Sequence, residues 1–221
     1  MRLRNRPWAA GELEACPYYI KDFAQNHGRW NEAFANGNPI WLELGCGKGL
    51  YIAATAPKRP DINFIAADIK GLMLAYARRY IEAAFAAAGK AVDNVKLLSV
   101  DASRIHNAFS PEDKVQRIII NFCNPWPKPH HFKRRLIHTK QLLLYREFLA
   151  DDGEVYFKTD SDMLYEAAPA YFEEAGYEIL EDLADYYSRY ELDEAALTEH
   201  ERKFLNEGLP IHFMRARKKA Q

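Results

Sequence analysis

Ile40-Trp41-Leu42-Glu43-Leu44-Gly45-Cys46-Gly47-Lys48-Gly49 is the stretch on which the fold turns. Its first five residues read as a buried strand. The glycines behind them let the backbone turn sharply into a helix that runs to about Ala56.

Outward from that turn, strand and helix signals alternate. Apolar runs at 63–67, 95–100, 117–121 and 155–157 read as strands. Alanine-rich 70–88 favours a helix that Gly89 stops. Further helices are expected at 140–150 and up to Ala175, the second capped by Asp160 or Ser161 and closed by Gly176. A short helix is expected around 104–109, a turn at Asp151-Asp152-Gly153, and late strands at 177–180 and 211–217. The alternation predicts an α/β, Rossmann-like, doubly wound and mostly parallel sheet with helices on both faces. The expected organisation is an N-terminal helical arm at 1–38 and one domain at 39–221.

A chain of 221 residues suits one such domain with additions. Its apolar share, 48%, is enough for a full core. No apolar run approaches the roughly 18 residues of a membrane span, so no membrane is expected. Met1-Arg2-Leu3-Arg4-Asn5-Arg6-Pro7-Trp8 carries charge with no apolar stretch behind it and does not read as a secretory signal. Cys16, Cys46 and Cys123 stand far apart, with no C-x-x-C pair. That argues against a disulfide framework or zinc site and for a reduced, cytoplasmic setting. His130, His131 and His138 lack paired ligand spacing, so no metal is expected. A net charge of −1 hides an asymmetry: cations gather at 2–6, 128–140 and 215–219, while 151–201 is acidic. Any one run reads as a solvated face; three basic patches on a neutral chain lean toward a polyanionic partner.

Three acids fall at strand ends. Glu43 precedes the glycine turn, Asp68 follows the second strand, and Asp101-Ala102 follows the third. The glycine spacing is G-x-G-x-G, not the dinucleotide G-x-G-x-x-G. A carboxylate at Asp68 suits both hydroxyls of a ribose. Glu43 would repel a pyrophosphate and attract a sulfonium and an ammonium. Together they favour S-adenosylmethionine over NAD, with Gly45, Gly47 and Ala102 at the same site. The glycine turn alone is equally compatible with tight packing.

The strand at 117–121 runs into Asn121-Phe122-Cys123-Asn124-Pro125-Trp126-Pro127, where the prolines stop regular structure. A basic cluster follows at once: Lys128, His130, His131, Lys133, Arg134 and Arg135. In an open α/β sheet ligands bind at the carboxyl ends of strands, and these cations suit a phosphate-bearing one. Trp126 reads either as a stacking surface for a base or as a buried packing residue. Thr198-Glu199-His200-Glu201 fits a capping box at a helix start.

These residues together resemble the bacterial tRNA (guanine-N7-)-methyltransferase family. The likeness spans about 41–217 and is most specific at Asn124-Pro125-Trp126-Pro127-Lys128 with His131, Lys133, Arg134 and Arg135. Thr159-Asp160, and Thr198-Glu199-His200-Glu201 with Lys203-Phe204 behind it, look like the family's two later motifs. The resemblance implies a fold of the S-adenosylmethionine-dependent methyltransferase type and methyl transfer to N7 of a guanine in the variable loop of tRNA. It implies a cofactor pocket lined by Glu43, Asp68, Asp101 and Asn124. Lys128, Asp160, Thr198, Glu199, His200 and Glu201 would then meet the target nucleotide. His130, His131, Phe132, Lys133, Arg134 and Arg135 would lie in the RNA-contacting loop. Two positions depart from the family pattern, which usually has aspartate at Asn124 and glutamate at Asp68. The first departure removes a negative charge beside a cationic cofactor; the second shortens a carboxylate by one methylene.

The N7 lone pair of guanine is free at neutral pH, so alignment is the main task and no strong base is needed. Asp160 and Glu201 are expected to stabilise the positive charge that develops on the purine, and Asn124 to orient it through its amide dipole. N7 faces the deep, narrow groove of an A-form duplex, so the base must come from irregular RNA or be extruded. Two other readings stay open. One is an amino-methyltransferase on nucleic acid, since Asn124-Pro125-Trp126-Pro127 partly mimics an N-P-P-aromatic tetrad. The other is a non-catalytic RNA-binding protein, which Asn124 encourages. The assembly is expected to be a monomer or a homodimer.

Overall fold

The computed structural model describes residues 6–191 and 199–219, without the side chains of 199 and 200. In chain order its strands are β1 (Tyr19–Ile20), β2 (Ile40–Leu44), β3 (Asn63–Asp68), β4 (Val95–Ser99), β5 (Val115–Asn121), β6 (Leu149–Thr159), β7 (Tyr177–Leu183) and β8 (His212–Lys218). The α-helices are α1 (Pro7–Glu14), α2 (Leu50–Thr55), α3 (Gly71–Ala87), α4 (Thr139–Phe148), α5 (Asp162–Glu174) and α6 (Glu199–Asn206). Among the described residues these strands form one sheet in the order β1-β4-β3-β2-β5-β6-β8-β7. Every neighbouring pair from β1 to β6 is parallel, and β8 runs antiparallel to both β6 and β7.

All five residues of β2 are buried, as expected of a central parallel strand covered on both faces. On one face Leu42, Leu44, Ile118, Ile120 and Phe157 pack with Tyr145 and Phe148 of α4 and Leu164 and Phe172 of α5. On the other, Phe64, Ala66 and Ile119 pack with Ile52 of α2 and Leu74, Ala77 and Ile81 of α3. Each large apolar side chain so buried stabilises by about 1.5–3 kcal/mol. Gly49 sits at φ +69°, and a Cβ there would lie 2.7 Å from Cβ of Ala77. Glycine is therefore what lets α2 approach α3 so closely.

The segment before β2 is bound to the sheet. α1 packs on α3, with Trp8 edge-on to Tyr76 at 5.2 Å. β1 pairs with β4, Tyr19 opposite Leu97. Trp30 is fully buried, and its indole N–H donates to the Ala108 carbonyl at 2.6 Å.

Most expected strands and helices appear within a few residues of their sequence positions. Asp151-Asp152-Gly153 is a correction: it lies inside β6, where the pairing with β5 shifts between Val115–Leu149 and Arg117–Glu154. A Cβ on Gly153 would meet Cγ of Leu149 at 2.6 Å, so the polar turn signal marks a bulge in a strand. The short helix expected around 104–109 is a 3₁₀ segment, Ala102–Asn107. Among the described residues no helix is long and apolar enough to cross a membrane, and no group of three His, Cys, Asp or Glu is placed to hold a metal ion.

Candidate active site

Because β2 to β6 are parallel, their carboxyl ends share one edge of the sheet. The order reverses at β2, where the chain runs outward through β3 and β4 on one side and through β5 and β6 on the other. A crevice opens at such a reversal. Two cavities meet there, sharing Gly45. One, of about 470 Å³, includes Asp68, Ile69, Asp101, Ala102, Trp126, Lys133 and Arg134 in its lining. The other, of about 230 Å³, includes Glu43, Gly47, Met73, Asn121 and Phe122.

Glu43 is 3% exposed. Its Oε1 accepts from the Asn121 side-chain amide at 3.1 Å, while Oε2 has no partner among the described residues. Burial pushes the carboxyl up to about 8, against the pull of the Asn121 amide and the Lys158 charge. An unpartnered buried carboxylate oxygen beside a cavity is the mark of a site built for a cation or a donor. Gly45 and Gly47 take φ +74° and +53°. Their turn brings the Gly47 N–H to Oδ2 of Asp68 at 3.0 Å, and Oδ1 of Asp68 accepts from the Lys70 N–H at 2.8 Å. Burial raises the Asp68 carboxyl, and these backbone donors oppose that shift. Asp101 is exposed and caps the 3₁₀ segment, accepting from the Ser103 N–H at 2.9 Å. Ile69 is 60% exposed on the wall of the larger cavity, an apolar surface left for a ligand to cover.

The loop after β5 is held by its own side chains. Phe122 and Trp126 both take left-handed backbone angles, φ +50° and +43°. Bulky residues adopt these only where the surroundings impose them. Oδ1 of Asn124 accepts from the Trp126 N–H at 3.0 Å, closing a tight turn across Pro125. Asn124 itself is exposed and is not among the residues lining either cavity; Trp126 is. Beside this loop the charge of Asp160 adds to the burial that pushes the Cys123 thiol up to about 12.

Lys128 precedes a 3₁₀ segment, Pro129–Arg134, that carries the basic cluster. The rings of His130 and His131 lie 4.1 Å apart, and His131 meets Trp126 edge-on at 5.2 Å. Lys133 and Arg134 are exposed and reach the larger cavity, with the Arg134 guanidinium 5.2 Å from the Trp126 ring. Arg135 differs from its neighbours: it is 1% exposed and packs 3.7 Å from the ring of Phe132. That burial leaves it no surface for a phosphate contact.

Glu201 is buried in α6 and pairs with Lys158 at 2.8 Å; the Tyr187 hydroxyl donates to the same oxygen at 3.3 Å. Its charge is thus already offset inside the protein. Glu199 and His200 open α6, and Thr198 lies outside the described residues. Sequence reasoning passed over Lys158, Asn121, Ile69 and Leu136. Asn121 and Lys158 left a trace as polar residues at the ends of apolar strand runs, and the structure pairs them in register.

An open sheet with this strand order, a glycine turn after its central strand and acids at three neighbouring strand ends define an α/β domain of the methyltransferase class. Solved structures share the fold. The 16S rRNA methyltransferase KamB superposes with a TM-score of 0.59 at 14% identity, over 83% of this chain and 89% of that one. A SAM-dependent methyltransferase from Aquifex aeolicus gives 0.53 at 14% identity, over 80% and 81%. A family model described as "Putative methyltransferase" matches residues 37–214. The tRNA (guanine-N(7)-)-methyltransferase of Clostridium perfringens (strain 13 / Type A) is 48% identical over 99% of this chain and 100% of its own length. That of Acetivibrio thermocellus is 46% identical over the same shares. The chain belongs to the tRNA (guanine-N(7)-)-methyltransferase family.

Proposed function

We propose that this protein transfers a methyl group from S-adenosylmethionine to N7 of a guanine in the variable loop of tRNA. The observation that carries the reading is one cavity edge shared by two chemistries. Asp68, Ile69 and Asp101, from the ends of β3 and β4, and Trp126, Lys133 and Arg134, from the segment after β5, line one cavity. The orphaned Oε2 of Glu43 and the exposed Ile69 fit the cationic and apolar parts of that cofactor. Glu43, Gly45, Gly47, Asp68, Asp101 and Ala102 would hold it, and bound there it supplies an electrophilic methyl carbon on a sulfonium.

The protein's own task is to align and to stabilise. Lys128, His130, His131, Lys133 and Arg134 draw the phosphate backbone to the cavity mouth. Trp126 offers a ring for the extruded base. Asp160 is the acid that answers the positive charge arriving on the purine, since Glu201 is engaged by Lys158. Glu201 then serves to fix α6 beside the base, with Thr198, Glu199 and His200 near it in sequence. Asn124 orients through its amide and shapes the loop that carries Trp126. We assign this machinery to residues 39–221, with residues 1–38 as a supporting arm.

The test is transfer of a labelled methyl to tRNA lacking the modification, with the product nucleotide mapped by mass spectrometry. Label on N7 of a variable-loop guanine is expected. Label on an exocyclic nitrogen would point to the amino-methyltransferase reading, which the curated relatives do not favour. Absence of transfer, with no heat on adding S-adenosylmethionine, would sink the enzymatic reading.

A further inference from the structure

Arg135 follows four exposed basic or histidine side chains, Lys128, His130, Lys133 and Arg134, yet it is among the largest fully buried side chains of the described residues. Among those residues no carboxylate pairs with it. Its guanidinium is spent on the loop after β5 instead. Nε donates to the Pro125 carbonyl at 2.9 Å and Nη2 leans on the Trp126 carbonyl at 3.4 Å. Nη1 donates to the Tyr171 hydroxyl of α5 at 2.9 Å, and the Phe132 ring covers one face. One planar fork therefore ties two consecutive carbonyls of the strained turn to a helix of the core. Leu136, the next residue, lines the larger cavity, and a Cβ on Gly45 would touch it at 3.2 Å. The same clamp thus holds two residues of the cavity lining, Trp126 and Leu136.

We propose that Arg135 is a positioning residue for methyl transfer, holding Trp126 and the cavity wall in place, and not a contact to RNA. The inference rests on the methyltransferase reading for its kinetic readout. A buried fork fixing a left-handed tryptophan controls alignment, and alignment acts on turnover more than on encounter. An arginine facing phosphate would act on affinity and on its salt dependence.

The experiment uses the full chain with Arg135→Met and Arg135→Lys. We expect kcat to fall about 10–100-fold in Arg135→Met, with KM for tRNA within about threefold of wild type. The slope of log affinity against log salt should be unchanged, whereas Arg134→Met should lower it by about one. Arg135→Lys should also lose turnover, because one ammonium cannot span Pro125, Trp126 and Tyr171. This variant decides the matter if Arg135→Met does not fold. A rise in KM of about tenfold with kcat intact, a salt slope reduced by about one, or wild-type turnover in both variants would each overturn the proposal. Tryptophan emission gives a readout free of turnover. The difference spectrum between wild type and Trp126→Phe should change in the Arg135→Lys background, and an unchanged difference overturns the clamp. A wild-type protein inactive on tRNA would count against the proposed function and leave this spectral test standing.

Discussion

The Lys158 ammonium lies 2.8 Å from Oε1 of Glu201, joining the carboxyl end of β6 to α6. Both groups are largely shielded from water, at 15% and 3% side-chain exposure. Breaking such a pair from one side strands a buried charge, which costs about 3–5 kcal/mol. We expect Lys158→Met to lose about 3 kcal/mol in urea unfolding, and Lys158→Met with Glu201→Gln to recover part of it. A double variant that loses as much as Lys158→Met and Glu201→Gln together would show that the pair is not coupled.

Glu43 gives stability a pH dependence of definite sign. Its carboxyl is raised to about 8, chiefly by burial, so the folded protein holds a proton that the unfolded chain releases near the ordinary carboxylate range. Its contribution is fully present at acid pH and is lost as pH climbs toward about 8. Glu43→Gln should flatten the fall in urea midpoint between pH 5 and pH 8 (about the window set by the two pKa values). The same change should weaken S-adenosylmethionine binding about tenfold or more in calorimetry. An undiminished slope in Glu43→Gln would assign the titration elsewhere.

Asn124 accepts the Trp126 N–H through its side-chain oxygen, a bond that aspartate makes equally well. Asn124→Asp should therefore keep the turn while adding a negative charge outside the two cavities. Because residue 124 is exposed and lines neither cavity, we expect S-adenosylmethionine binding to change by no more than about twofold. Calorimetry reads it. Weaker binding would mean that the site is tuned to a neutral side chain.

Gly49 tests the packing behind the site. Alanine there must adopt φ +69° and place Cβ 2.7 Å from Ala77. The combined cost is about 2–4 kcal/mol, and a urea midpoint within error of wild type would contradict it.

Much of this was legible in the residues. The β2 turn and the acids at Glu43, Asp68 and Asp101 announced themselves because parallel strands are uninterrupted apolar runs and glycine marks their exits. Asp151-Asp152-Gly153 misled because a bulge and a turn use the same residues. The two-residue β1 is too short for any alternation to register. Arg135 was hidden for a different reason: in sequence it is the last of a basic run, and only packing separates the one that turns inward. Glu201 was expected to answer the charge on the purine because nothing in the sequence ties it to its cation, Lys158, on a distant strand.

The sheet's two margins are unlike. β1 blunts one with only two residues, while β7 offers seven on the other, with Glu178 and Asp182 exposed. Brevity guards one margin and charge the other against the addition of a foreign strand.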